Sequence, residues 1–113
     1  MFVTVFHGTM NRSTHELENH EAVATFSFPV KTVDEALDLG YFHTQNLHDS
    51  WSETGSQDAH YSLQLRKPRE VIDGEEFGHR SSMVGDLMKV YDPINNGHLG
   101  TYVVEDFGFK KVD

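Results

Sequence analysis

The first part of the chain alternates between apolar and polar residues with the period of β-strands. Residues 2–6 are β-branched or aromatic and apolar on both faces, which predicts an interior strand. We expect residues 7–9 to break this strand and the polar residues 9–20 to form a loop. Residues 21–28 alternate again and predict a second strand, which Pro29 ends.

The next segment has the period of an amphipathic helix. Thr32 and Glu35 have the spacing of a capping box, in which each side chain bonds the backbone N–H of the other residue. Apolar residues then recur at helical spacing and predict a helix over about residues 33–48. Gly40 lies on the inner stripe of this helix, where glycine costs roughly 1 kcal/mol relative to alanine. We therefore expect Gly40 to pack closely against a sheet.

The second half of the chain predicts more strands and few helical features. Residues 67–82 are rich in proline, glycine and charge and are interpreted as a long connection, whereas the turn residues 92–97 predict a hairpin. The element order favours an α+β fold, a single domain over residues 1–113, in which a small antiparallel sheet of five to six strands packs against one main helix. The predicted strands of this half are residues 61–65, 87–91, 99–105 and 107–112.

Composition excludes several classes of function. The net charge of −9 over 113 residues repels phosphate backbones and anionic lipid, which disfavours direct nucleic-acid and membrane binding. The absence of cysteine excludes disulfides, thiolate nucleophiles and cysteine-based zinc sites. No apolar run approaches the roughly 20 residues of a membrane helix, and the first residues lack a signal-peptide pattern. These features predict a cytoplasmic protein that is not secreted.

Eight histidines raise the question of a metal site. The pairs His15/His20 and His43/His48 are five residues apart, which on a helix places their side chains about 140° apart, so neither pair chelates locally. Neither a zinc-protease motif, a nucleophile elbow nor a phosphate-binding glycine motif occurs. We therefore expect no catalytic residue, metal ligand or cofactor. A metal site assembled from histidines distant in sequence stays open.

The segment 80–86 (Arg-Ser-Ser-Met-Val-Gly-Asp) is the best candidate for a binding site. In a structural interpretation, Gly85 permits a tight entry into the next strand, Asp86 and the serines satisfy backbone amides, and Arg80 pairs with Asp86. In a functional interpretation, Arg80 is a forked donor to a small anion or a partner, and Ser81 and Ser82 are further donors.

Trp51 and the pair Phe107 and Phe109 also have two interpretations. Trp51 follows the predicted helix in a polar segment, where it either covers the edge of a core or is an exposed hot spot for a partner. The same alternatives apply to Phe107 and Phe109.

Three segments occur in a recognisable order: residues 41–46 (Tyr-Phe-His-Thr-Gln-Asn) with Trp51 shortly after, residues 80–86, and residues 102–104 leading to Gly108-Phe109. As a set, they resemble a family of small uncharacterised proteins of tailed bacteriophages, especially phages of actinobacteria. The final part also resembles the YodL-like domains of mobile elements. In that phage family a Thr-Asn pair ends the helix; here Gln45 separates the two residues.

The resemblance implies expression inside an infected bacterium and carries no established activity. Our first hypothesis is a non-enzymatic phage accessory protein that binds a host or phage macromolecule, for host takeover or counter-defence. The alternative is a small-ligand or nucleotide-binding domain, or a minor enzyme, centred on residues 80–86, with Asn46 and Trp51 as further candidate binding residues. A third hypothesis is an acidic mimic of nucleic acid. Exposed aromatic residues and a hairpin edge could also support a homodimer.

Overall fold

The computed structural model describes residues 1–46, 51–54, 62–67, 70–94 and 97–113. It confirms the predicted α+β fold, because one main helix accompanies a six-stranded antiparallel sheet. The strands and helices are β1 (Phe2–Met10), β2 (Leu17–Ser27), α1 (Val33–Phe42), α2 (Trp51–Thr54), β3 (Ser62–Leu65), β4 (Glu70–Ile72), β5 (Glu75–Phe77), β6 (Leu87–Asp92), β7 (Gly97–Val104) and β8 (Phe109–Lys111).

The main sheet has the strand order β3-β2-β1-β6-β7-β8, and β4 and β5 form a separate two-stranded sheet. Strand β1 lies between β2 and β6, which confirms that it is an interior strand. Each neighbouring pair is antiparallel. Strand β1 lies at the start of the sequence and β6 near its end. Their pairing therefore joins the two halves of the chain.

Helix α1 covers one face of the sheet and forms the core there. It contacts β1 and β6, and it contributes the buried residues Ala36, Leu37 and Gly40. Removing the facing aliphatic and aromatic side chains from water supplies the main driving force for this packing. The sheet residues on this face that are 0% exposed include Val3, Val5, Phe26, Met88 and Val90.

The capping box forms in a modified way. The Glu35 N–H donates to Thr32 Oγ1 at 3.2 Å, as predicted. The Thr32 hydroxyl in turn donates to Glu35 Oε1 at 2.9 Å, so the carboxylate bonds the hydroxyl of the cap residue.

Helix α1 ends at Phe42, so the predicted extent to residue 48 is wrong for the residues that are described; residues 47–48 lie outside them. The N–H groups of Thr44 and Gln45 donate to the carbonyls of Tyr41 and Phe42, three residues back. The α-helix therefore ends in a tighter turn of the 3₁₀ type. No helix in the described part of the chain is long and apolar enough to cross a membrane.

Three predicted boundaries in the strand regions are also wrong. Strand β1 continues through His7 and Gly8, because a register irregularity between His7 and Thr9 absorbs the break. Strand β2 begins at Leu17, inside the stretch interpreted as a loop. The long connection contains the β4–β5 hairpin, whose two-residue turn has positive φ at Asp73 and Gly74. An Asp-Gly pair is a strong hairpin signal, and the interpretation of residues 67–82 from their composition overlooked it.

Gly40 tests the helix–sheet contact. A Cβ atom at this position would lie 3.1 Å from Val3 Cγ1 and 3.3 Å from Met88 Sδ. We expect Gly40→Val to lower the free energy of unfolding by about 2 kcal/mol through overpacking, as measured by urea denaturation. The control Asp38→Val, at an exposed position of the same helix, should change it by less than about 0.5 kcal/mol. Equal stability of the two variants would contradict close packing at Gly40.

Candidate functional site

The candidate segment is built around an ion pair between Arg80 and Asp86. Arg80 Nη1 donates to Asp86 Oδ2 at 2.7 Å, and Arg80 Nη2 donates to Asp86 Oδ1 at 2.8 Å. Asp86 is 0% exposed, whereas the Arg80 side chain is 37% exposed. This two-bond geometry fixes the position of both side chains more tightly than a single contact would.

The ion pair continues the contact between β1 and β6 beyond the last paired residues, Phe6 and Leu87. There the Gly8 N–H donates to Asp86 Oδ1 at 3.0 Å, and the Gly8 carbonyl accepts from Arg80 Nη2 at 2.9 Å. The N–H and carbonyl groups of Gly8, which do not pair with β6, thus bond side chains instead. We call the group of Gly8, Arg80 and Asp86 the clasp.

Gly8 is required here for reasons of space. A Cβ atom at this position would lie 2.8 Å from Leu17 Cβ and 2.8 Å from His20 Nε2. Only a residue without a side chain lets the β1 backbone approach Leu17 and His20 of β2 this closely.

Residues 79–83 belong to no strand, yet each of their carbonyls accepts a hydrogen bond. Such complete pairing is what an irregular, partly buried backbone requires. The donor to the Ser82 carbonyl is Gln45, from the loop that follows α1. The five bonds run from Asn46 Nδ2 to His79 O, Trp51 Nε1 to Arg80 O, Arg80 Nη1 to Ser81 O, Gln45 Nε2 to Ser82 O and Asp86 N to Met83 O.

The two serines bond the loop that follows α1 and the end of β1. Ser81 Oγ accepts from the Asn46 N–H at 2.7 Å. Ser82 Oγ lies 2.7 Å from Thr44 Oγ1 and 3.0 Å from His7 Nε2. Because Ser82 is buried, its hydroxyl is not placed to attack a substrate from solvent.

Trp51 covers the edge of the core, as in the first of its two interpretations. It is 3% exposed, contacts Phe26 and stacks on His79 with a ring separation of 5.8 Å. It is therefore not an exposed hot spot. Of the other aromatic pair, Phe107 is almost fully exposed, and Phe109 packs edge-on against Tyr41.

The clasp keeps the Asp86 carboxylate charged. Burial by itself would raise the pKa of Asp86, but hydrogen bonds from Arg80, Gly8 and Met83 outweigh burial and hold that pKa below its ordinary value. A buried carboxylate with this many donors is stable only as the anion.

Burial has the opposite consequence for the neighbouring histidine. It lowers the pKa of His7 to about 4, although Asp86 Oδ2 lies only 3.9 Å from His7 Nε2 and favours the charged ring. His7 is therefore neutral near pH 7.

Five of the six binding residues proposed from the sequence are joined in one hydrogen-bond network: Asn46, Trp51, Arg80, Ser81 and Asp86. Ser82 lies next to Ser81 in the chain and bonds His7, Thr44 and Gln45 instead. Strand β7 is tied to the same segment, because the Gly85 N–H donates to the Val104 carbonyl and the Val104 N–H donates to the Asp86 carbonyl.

The residues of this site that sequence reasoning missed include His7, Gly8, Thr44 and His79. One signal could have found His7. It continues the period-two pattern of Val3 and Val5, whose side chains are buried on the helix-covered face.

The chemistry of this arrangement is mainly structural. Both terminal nitrogens of Arg80 are engaged, so an anion would have to displace Asp86 to reach them. Within the part of the chain that is described, no group of three or more His, Asp and Glu side chains could hold a metal ion. Comparison with known proteins finds no matching family model, curated protein or solved structure.

The clasp predicts that Arg80→Ala strongly lowers the stability of the protein. Removing Arg80 leaves the buried Asp86 carboxylate without its ionic partner, which we expect to lower the free energy of unfolding by about 3 kcal/mol in urea denaturation. Lys67→Ala is the control, because it removes the exposed Lys67–Glu21 pair and should leave stability nearly unchanged.

An Arg80→Ala protein as stable as the parent would contradict this structural role. If such a protein also lost a ligand or partner, the functional interpretation of Arg80 would gain.

The neutral state of His7 predicts a specific pH dependence of stability. The folded protein disfavours the proton that an unfolded histidine binds at about pH 6.5, so stability falls as pH falls from about 6.5 towards 4. The total loss through His7 is about 3 kcal/mol. The charged and titratable groups that act on it are Asp86, Arg80, His79 and His20.

Urea denaturation between pH 7 and pH 4 measures this loss, and His7→Gln should flatten the curve. Because the pKa of Asp86 is lowered, the stabilisation from its carboxylate is present above the ordinary aspartate value and is lost only below it. The His7 window thus lies above the Asp86 window. Identical pH profiles for the parent and His7→Gln would show that His7 does not carry the effect.

Proposed function

We propose that this chain is a non-enzymatic accessory protein of a tailed bacteriophage that binds a host or phage protein, for host takeover or counter-defence. The resemblance of three sequence segments supports the phage origin. The observation that most supports the binding role is the second face of the main sheet, which carries apolar side chains and is not covered by α1.

On β1 and β6, the side chains of this second face alternate with those that pack on α1. They are Phe2, Thr4, Phe6, Leu87, Lys89 and Tyr91, and none of these six is buried. The rings of Phe2 and Tyr91 lie 6.5 Å apart, and Lys89 Nζ lies 5.3 Å from the centre of the Phe6 ring. A solvated face of an antiparallel sheet is usually polar, so its aromatic content favours a docking surface.

One row of this face is apolar across four strands. Phe6 is paired with Ala22 on one side and Leu87 on the other, and Leu87 is paired with Val103. At the end of the row lies a groove of about 420 Å³, which we call the docking groove. Its apolar walls are formed by Met10, Leu17, Val84, Leu87, Val103 and Val112.

The charge of the protein indicates the chemistry of the partner. A net charge of −9 favours association with a basic surface and increases the rate of encounter with it. We therefore assign the docking groove to a partner protein that presents an apolar segment flanked by Lys or Arg residues. Since apolar burial carries this contact, binding should survive moderate salt. Nucleic-acid mimicry would instead produce binding that weakens steeply with salt.

The second hypothesis, a ligand or nucleotide site centred on residues 80–86, has less support. It needs free donors at Arg80, whose terminal nitrogens bond Asp86, Gly8 and Ser81. The stability of Arg80→Ala separates the two hypotheses, because a residue that serves a ligand would not be needed for folding.

The docking groove predicts which substitutions abolish binding. Partners are first captured from an actinobacterial host lysate at low and moderate salt, and the captured protein is then purified and titrated by calorimetry. We expect Val84→Glu and Val112→Glu to weaken its binding at least about tenfold, since each places a charge in an apolar contact. Ile94→Glu, which is 88% exposed and outside the groove, is the matched control and should bind like the parent.

Three outcomes would overturn the proposal. The first is equal binding by the groove variants and Ile94→Glu. The second is a partner that is released at moderate salt, which favours mimicry. The third is a concentration-dependent dimer that Val84→Glu dissociates, because the groove would then be an interface between two copies of the chain.

A further inference from the structure

The turn between β7 and β8 presents an aromatic ring that the fold does not use. Phe107 is 98% exposed, so its ring touches almost nothing in the folded protein and adds no burial to it. The turn is formed by its backbone instead. The Glu105 N–H donates to the Gly108 carbonyl at 3.0 Å, and Gly108 has a positive φ of 89°, which favours glycine. The ring of Phe107 is therefore available to a partner.

A cavity of about 210 Å³ lies between this turn and helix α1. Phe107 lies beside it, because both of its chain neighbours, Asp106 and Gly108, line the cavity. The cavity is smaller than the roughly 300–1,000 Å³ that a drug-sized ligand occupies. It therefore fits one side chain of a partner better than a whole small molecule.

The apolar part of the cavity wall is fixed by the core. Tyr41 and Phe109 both line the cavity and pack edge-on, with their ring centres 6.3 Å apart. Both rings pack against the buried core cluster, to which the third apolar wall residue, Val104, belongs. Aromatic walls of this kind suit an apolar group or a cation.

The rest of the lining favours a cation. Asp38, Glu105 and Asp106 line the cavity as exposed residues. None of their carboxylates has a hydrogen bond or an ion pair with another described residue. Like charges grouped around one cavity repel each other, and a bound cation relieves this repulsion.

The lysines of β8 do not supply that cation. Lys110 is paired with Val103, which lines the docking groove, and successive residues of a strand point to opposite faces of the sheet. Lys110 therefore lies on the opposite face from Val104 and the cavity. The Lys111 side chain lies beside Gly100, since a Cβ atom there would be 3.0 Å from Lys111 Cε.

Arginine fits this combination of walls and charges better than lysine. Its planar guanidinium stacks on aromatic rings and presents a fork of N–H donors that carboxylates accept in pairs. Its apolar stem can be buried along an apolar wall. Lysine offers a compact, strongly hydrated charge without that planar surface.

We propose that the cavity beside Phe107 receives an arginine side chain of a partner protein. The three carboxylates bind the guanidinium, and the ring of Phe107 packs on the apolar stem. This site is additional to the docking groove and does not depend on it. The two share no described lining residue, and they lie on opposite faces of β7.

The test is a ¹H–¹⁵N NMR titration of the full chain with the peptide acetyl-Ala-Arg-Ala-amide. The matched control peptide carries citrulline, which has the shape of arginine without its charge. Because exposed ion pairs are individually weak, we expect the arginine peptide to shift the Gly108 and Phe109 signals saturably at about millimolar concentration. The citrulline and lysine peptides should bind more weakly.

Variants of exposed residues locate the contact without endangering the fold. Asp38→Asn combined with Glu105→Gln should weaken binding of the arginine peptide at least about threefold. The control, Asp73→Asn combined with Glu75→Gln, changes the net charge equally at exposed residues outside the cavity and should bind like the parent.

Phe107→Ser tests the contribution of the exposed ring. It should weaken the arginine peptide at least about twofold, because the contact between the ring and the cation is lost. Absence of a saturable shift with the arginine peptide would overturn the proposal. So would equal binding of the citrulline or lysine peptide, equal affinity of the carboxylate variant and its control, or binding by Phe107→Ser that matches the parent.

Discussion

The buried carboxylate of Asp86 is the constraint to which the rest of this structure responds. A charge with no exposure to water is tolerated only when ionic and hydrogen-bond partners replace its solvation. Arg80 supplies two bonds, and the backbone N–H groups of Gly8 and Met83 supply two more. These donors come from β1 and from the segment before β6, so the charge can be buried only when the two halves of the chain have met.

The same constraint decides what is left for function. The donors that looked suited to an anion are used within the protein, and the loop after α1 is used to pair the carbonyls of His79 and Ser82. The side chains of the apolar row that ends in the docking groove supply none of these donors. Macromolecular binding is therefore assigned to a surface that the burial of Asp86 does not use.

His7 lies beside the clasp. Its Nε2 bonds Ser82 Oγ and lies 3.9 Å from Asp86 Oδ2. The cost of charging it in a buried position keeps the ring neutral near pH 7. A buried neutral histidine next to a buried carboxylate makes the stability of the fold depend on pH in two separate windows.

The sequence by itself determined the α+β class, the interior position of β1 and the helix with its cap, because these follow from local periodicity and from side chains close in sequence. It also selected the segment 80–86 and the pairing of Arg80 with Asp86, since both partners lie within seven residues. Only the tertiary structure showed that the helix ends at Phe42. It also decided that Gly8 completes the clasp and that His7 lies beside Ser82, 75 residues away. Those contacts depend on the pairing of distant strands, which local propensity does not encode.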